Sequence, residues 1–148
     1  MKTVKRMAWV PYRSGEMFAL VNDIPRYADF LPGCRASEEL GRSGSEVLAK
    51  LTLDYGGFRH AFTTRNRLVG QEKTLMTLVE GPFSHLSGEW AFTALDGRSS
   101  TVRLELSFAF SNPVVGRLAG PGFGRMADSL VDAFCRRAEE VYGSGGMD

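Results

Sequence analysis

The side chains able to do chemistry are few and scattered. The 148-residue chain has two histidines, His60 and His85, two cysteines, Cys34 and Cys135, and 17 aspartates and glutamates. It contains no HExxH pair, no CxxC pair, no nucleophile elbow and no phosphate-cradling glycine loop. Gly122 and Gly124 flank Phe123 without the lysine that a phosphate loop requires. The cysteines lie far apart and outside any metal-ligand spacing, which predicts free thiols in a reducing compartment and no metal site. No catalytic residue is assigned. Acid–base chemistry stays open, since histidines and carboxylates suffice for it in principle.

Other residues are suited to holding a molecule. From Phe58 to Leu68 the chain alternates with period two, so Phe62, Thr64 and Asn66 share one face with His60. Arg59, Arg65 and Arg67 share the other. A polar group on a covered face needs a partner. For Thr64 and Asn66 that partner is nearby backbone or the carbonyl of a bound molecule. His60 reads as a satisfied or exposed histidine. The arginines read as a solvated strand face or as contacts to RNA phosphates, which add affinity without sequence information. Trp90, Phe92 and Phe108 fit ordinary core or a pocket wall. Met7, Met17, Met76 and Met126 can fill either.

The elements that must position these residues follow from the same periodicities. A strand is predicted from Thr3 to Val10, then two short helices, Ser14 to Val21 and Pro25 to Phe30, ended by Leu31-Pro32-Gly33. Five consecutive period-two strands follow, with Gly56-Gly57 and Asp96-Gly97 among their turns. Met126, Leu130, Ala133 and Phe134 then keep helical spacing. A helix from Pro121 to Tyr142 would span about 33 Å. The expectation is one α+β domain over residues 1–142, a curved antiparallel sheet wrapped around a long C-terminal helix, with a flexible tail at 143–148.

One helix cannot fill the concave side of a wide curved sheet, so a pocket is expected between them. Its wall should hold Phe30 and Leu31 from the short helix, and Phe62, Thr64 and Asn66 from one strand. Met76, Leu78, Trp90, Phe92 and Phe108 should come from later strands, and Met126, Leu130 and Phe134 from the long helix. The formal net charge of +1 points to neither DNA nor a strongly basic partner. The N-terminal apolar run is too short for a signal peptide, and no run reaches the roughly 18 residues of a membrane span. The expected location is cytoplasmic.

Several motifs carry a family resemblance. They are Val10-Pro11-Tyr12, Leu20-Val21-Asn22-Asp23, Phe30-Leu31-Pro32-Gly33-Cys34, Phe62-Thr63-Thr64-Arg65-Asn66 and Glu80-Gly81-Pro82-Phe83. Gly88 with Trp90 and Phe92, Phe108 with Phe110 and Asn112, and the ending Ala133-Phe134, Arg137-Ala138 and Val141-Tyr142 continue the series. In this order, over residues 3–142, the chain resembles the START-like (Bet v 1-like) helix-grip superfamily. Within it the chain looks like the coenzyme Q-binding protein and ribosome association toxin family, also described as oligoketide cyclase or lipid-transport proteins. The Leu-Pro-Gly-Cys form looks most like the toxin branch.

The resemblance implies two activities. One is binding of a hydrophobic molecule, a polyprenyl quinone such as ubiquinone or a related lipid, with no cofactor required. Such a ligand implies transient contact with a membrane and a place peripheral to the inner membrane. The other is association with the large ribosomal subunit that blocks subunit joining, where Arg59, Arg65 and Arg67 would be the RNA contacts. The cyclase members imply a third, a polyketide cyclase-like enzyme. One segment departs from the family pattern: between Asn112 and Phe123, Gly116, Gly120, Pro121 and Gly122, with Gly124 just beyond, predict a break or kink in the last helix and a hinge there.

Overall fold

In the structure, a computed structural model that describes residues 1–143, seven strands form one antiparallel sheet in the order β1-β7-β6-β5-β4-β3-β2. The strands are β1 (Lys2–Val10), β2 (Cys34–Ser43), β3 (Glu46–Tyr55), β4 (Phe58–Val69), β5 (Lys73–Glu80), β6 (Phe83–Ala94) and β7 (Ser100–Phe110). Helix α1 (Ser14–Val21), a 3-10 turn (Ile24–Arg26) and α2 (Tyr27–Phe30) connect β1 to β2. Helix α3 (Pro113–Tyr142) closes the chain and lies against the sheet. Of the tail expected to be flexible at 143–148, residues 144–148 lie outside the described residues.

The helix-grip architecture expected from the sequence is present. The alternation that predicted β3 to β7 also sets their register: Ala49, Leu53, Phe62, Trp90, Leu104 and Phe108 all bury on the inner face. Strand β2 escaped the sequence reading. Its residues Arg35 to Ser43 hold only two apolar side chains, Ala36 and Leu40, and two register shifts interrupt its pairing with β3. A polar, bulged edge strand has no alternation to read. Ser14 does not cap α1. Instead the Glu16 carboxylate reaches back to accept from the Arg13 backbone N–H at 3.0 Å.

The expected break in the last helix is overturned. α3 runs unbroken for 30 residues, about 45 Å at 1.5 Å per residue. Asn112 caps it, its Oδ1 accepting from the Val114 and Val115 backbone N–H groups. The glycines serve contact. A Cβ at Gly122 would fall 2.6 Å from the Tyr55 carbonyl oxygen, and nearer still to that of Gly56. The helix therefore presses directly on the β3–β4 turn, which only a residue without a side chain permits. Gly116 and Gly120 lie beside the Phe110 side chain at looser distances, 3.3 Å and 3.6 Å from where a Cβ would stand. Pro121 is exposed, so the carbonyl four residues earlier, on exposed Arg117, can turn to water.

The other end of α3 is tied to α1. Tyr142 donates to the Glu16 carbonyl at 3.0 Å, and Tyr12 donates to the Gly143 carbonyl at 2.6 Å. Thr74 on β5 donates to Asn22 Oδ1, which anchors the chain as it leaves α1.

Candidate functional site

Between the sheet and α3 lies a cavity of about 70 Å³. β3 contributes Ala49, Leu51 and Leu53; β4 contributes Phe62, Thr64 and Asn66; β5 contributes Met76. Leu86 and Trp90 come from β6, Leu104 and Leu106 from β7, and Phe123, Met126 and Leu130 from α3. Ile24, Leu31 and Pro32 close it from the short-helix side. Ligand sites for drug-sized molecules run to roughly 300–1,000 Å³. This cavity is closed down well below that, and a bulky guest requires its wall to move.

The wall holds one polar pair. Thr64 donates to Asn66 Oδ1 at 2.8 Å, and Asn66 is only 4% exposed. The Asn66 amide is the polar end of this wall, and among the described residues the buried side-chain nitrogen without a partner is Arg137 Nε, outside the cavity. Among the described residues no side chain lining the cavity titrates. Nearby, the Tyr27 hydroxyl donates to the Val21 carbonyl, and burial pushes its pKa well up. Burial raises the Cys34 thiol too. Both cysteines are free.

Eight of the residues expected at the pocket line it: Leu31, Phe62, Thr64, Asn66, Met76, Trp90, Met126 and Leu130. The other five stand outside the lining. Phe92 stacks on Trp90 at 6.3 Å between ring centroids, and Phe134 meets the same indole edge-on at 5.4 Å. Phe108 meets Phe123 edge-on at 4.7 Å. Phe30 packs on Phe134 and faces a separate surface groove, where the Arg137 guanidinium lies 5.1 Å from its ring centre. Leu78 packs half-buried on the core near Gly81.

The sequence reading missed nine lining residues: Phe123, hidden in the segment taken for a hinge; Ile24 and Pro32 by the short helices; and Ala49, Leu51, Leu53, Leu86, Leu104 and Leu106, whose period-two runs carried the signal. His60 is half-buried against Phe58 and does not reach the cavity. Met7, read as core or wall, is 68% exposed on the outer face of β1.

The three arginines stand on the outer face as expected, all exposed. Arg59 pairs with Asp54 at 3.3 Å and Arg65 with Glu46 at 3.9 Å, while Arg67 forms no ion pair among the described residues. No helix among the described residues is long and apolar enough to cross a membrane.

Comparison with known proteins agrees with this geometry. Residues 10–135 match the family described as polyketide cyclase / dehydrase and lipid transport. The chain is 43% identical over 140 residues to the ribosome association toxin RatA of Pseudomonas aeruginosa, covering 95% of this chain and 97% of that one. It is 41% identical over 143 residues to the protein of the same name from Vibrio cholerae, covering 97% and 99%. A coenzyme Q-binding protein COQ10 homolog B from Xenopus laevis is 26% identical over 132 residues, 86% of this chain and 54% of that one. Among solved structures, a Thermus thermophilus protein superposes with a TM-score of 0.82 at 17% identity, covering 95% and 99%, a likeness of fold alone. The chain thus belongs to the polyketide cyclase / dehydrase and lipid transport family, among its members named ribosome association toxins.

Proposed function

We propose that this protein associates with the large ribosomal subunit and hinders subunit joining. The observation that carries this reading is the identity of about two residues in five, end to end, to proteins named ribosome association toxins. The similarity spans every element of the fold, so a surface used by those proteins has its counterpart here. The outer sheet face offers cations for RNA phosphates, with Arg67 and Arg65 two residues apart on β4. Arg59 and Arg65 already face carboxylates, so Arg67 is the strongest of the three contacts. The test is co-sedimentation of the purified protein with large subunits over a salt series. Binding should weaken steeply with salt, and Arg65→Glu with Arg67→Glu should weaken it further. Absence of co-sedimentation at low salt would overturn the reading.

A second reading rests on the cavity. An apolar chamber whose wall carries one hydroxyl and one amide suits an apolar ligand that carries a carbonyl or ether oxygen, such as an isoprenoid quinone. The similarity to a protein named coenzyme Q-binding points the same way. The closed volume means that such a ligand enters by displacing the wall between Leu31 and Leu130. Denaturing mass spectrometry of protein purified without detergent from a quinone-containing bacterium tests this. A released quinone or lipid supports it, and a clean apo mass after incubation with added quinone overturns it. The cavity wall offers no acid or base, so nothing in it supports the cyclase reading.

A further inference from the structure

The first half of α3 turns aliphatic side chains away from the protein. Val114 is 56% exposed and Leu118 70% exposed. With exposed Pro121 they stand at positions i, i+4 and i+7, which is one stripe along the helix. Arg117 and Arg125, both exposed, lie on that side of the helix as well. From Asn112 to Ala127 there is no aspartate or glutamate. The carboxylates of the helix, Asp128, Asp132, Glu139 and Glu140, all fall in its second half. An amphipathic helix normally hides its apolar stripe, and α3 does so on its other side with Phe123, Met126 and Ala127. The outward stripe is therefore a second apolar surface, edged by cations.

Its neighbours extend it. The Gly57 turn lies against the Leu118 carbonyl, and the Arg125 guanidinium lies over Gly56. Lys2 reaches across to Gly124, and Met1 is exposed beside Gly120 and Pro121. The same turns of helix send Phe123 and Met126 into the cavity. A surface gripping this stripe would sit directly over the chamber.

We propose that the outward face of residues 114–125 docks on an anionic lipid surface. Val114 and Leu118 enter the acyl boundary, and Arg117 and Arg125 hold lipid phosphates. Charge complementarity selects the occupant: two arginines with no carboxylate in the segment match a field of phosphates. The aliphatic side chains select lipid over RNA, because nucleic-acid platforms stack bases on aromatic rings and this face presents none. The proposal is independent of ribosome association. It gives the apolar-ligand reading a source for the ligand.

The test uses the full chain and vesicles of phosphatidylcholine alone or mixed in equal parts with phosphatidylglycerol. The protein should sediment with the mixed vesicles and not with phosphatidylcholine alone. Arg117→Glu should weaken binding about tenfold at low salt. Val114→Gln with Leu118→Gln should weaken it about tenfold at any salt. These side chains are exposed, so unchanged circular dichroism should accompany both losses. No sedimentation with mixed vesicles, or equal binding by the variants, would overturn the proposal. So would variants that lose large-subunit association while the native chain ignores vesicles, which would assign the stripe to the ribosome. Failure of the native chain to bind subunits, with vesicle binding intact, would instead remove only the ribosome reading.

Discussion

Thr64 and Asn66 lie two residues apart on β4, and the hydroxyl of the first donates to the amide oxygen of the second across 2.8 Å inside an otherwise apolar chamber. Thr64→Val would leave Asn66 Oδ1 without its donor, at a cost of about 1–3 kcal/mol. The double variant Thr64→Val with Asn66→Leu removes both polar groups and should recover most of that loss. Urea unfolding of the two variants checks this. A double variant as unstable as the single would show that the pair contributes through packing.

The glycines of α3 divide into two kinds. Gly120→Ala meets nothing nearer than 3.6 Å, an ordinary contact with the Phe110 ring, and should stabilise the helix by about 0.5–1 kcal/mol. Gly122→Ala drives a methyl into the Tyr55 and Gly56 carbonyls and should destabilise by about 2–4 kcal/mol. Thermal unfolding of the two variants should give shifts of opposite sign. Two shifts of the same sign would contradict the close approach of the helix to the β3–β4 turn.

Gly88 sits on the inner face of β6 between Met76 and Leu106. A Cβ there would fall 2.7 Å from Met76 Cε and 2.8 Å from Leu106 Cδ1, both in flexible side chains that line the cavity. Gly88→Ala should push them inward and reduce the chamber at a cost of about 1–3 kcal/mol. Retention of an added quinone, read by mass spectrometry, should fall, while large-subunit co-sedimentation should stay as it was. Loss of both together would show that the cavity and the ribosome surface are coupled.

Asp96 in the β6–β7 turn accepts at Oδ1 from the backbone N–H of Arg98 at 2.7 Å and of Ser99 at 2.8 Å. The Arg98 hydrogen bond, helped by Ser99, holds its pKa below the ordinary 3.8. A depressed carboxylate contributes its stability above the unfolded value and loses it as pH falls through the folded one. Carbon-detected NMR should place the Asp96 midpoint below 3.8, and Asp96→Asn should remove the associated acid-dependent loss. A midpoint at or above 3.8 would mean that the turn is open in solution.

By itself the sequence determined the architecture and about half of the chamber's wall. Period-two alternation from Val47 to Phe110 assigns strand residues to a face, because successive side chains of a pleated strand point to opposite sides. That reasoning reached Phe62, Thr64, Asn66, Met76 and Trp90 without any coordinates. The tertiary structure decided three other things. It made an unbroken helix of Pro113–Tyr142, since burial of Phe123, Met126 and Ala127 stabilises a segment that propensity alone would break, and Gly122 permits the close approach to the β3–β4 turn. It placed Phe92, Phe108 and Phe134 behind the wall, because rings on one face compete for the same space and only packing decides which reach the void. It also turned Val114 and Leu118 outward, where helical spacing names a stripe but not the side that meets the core.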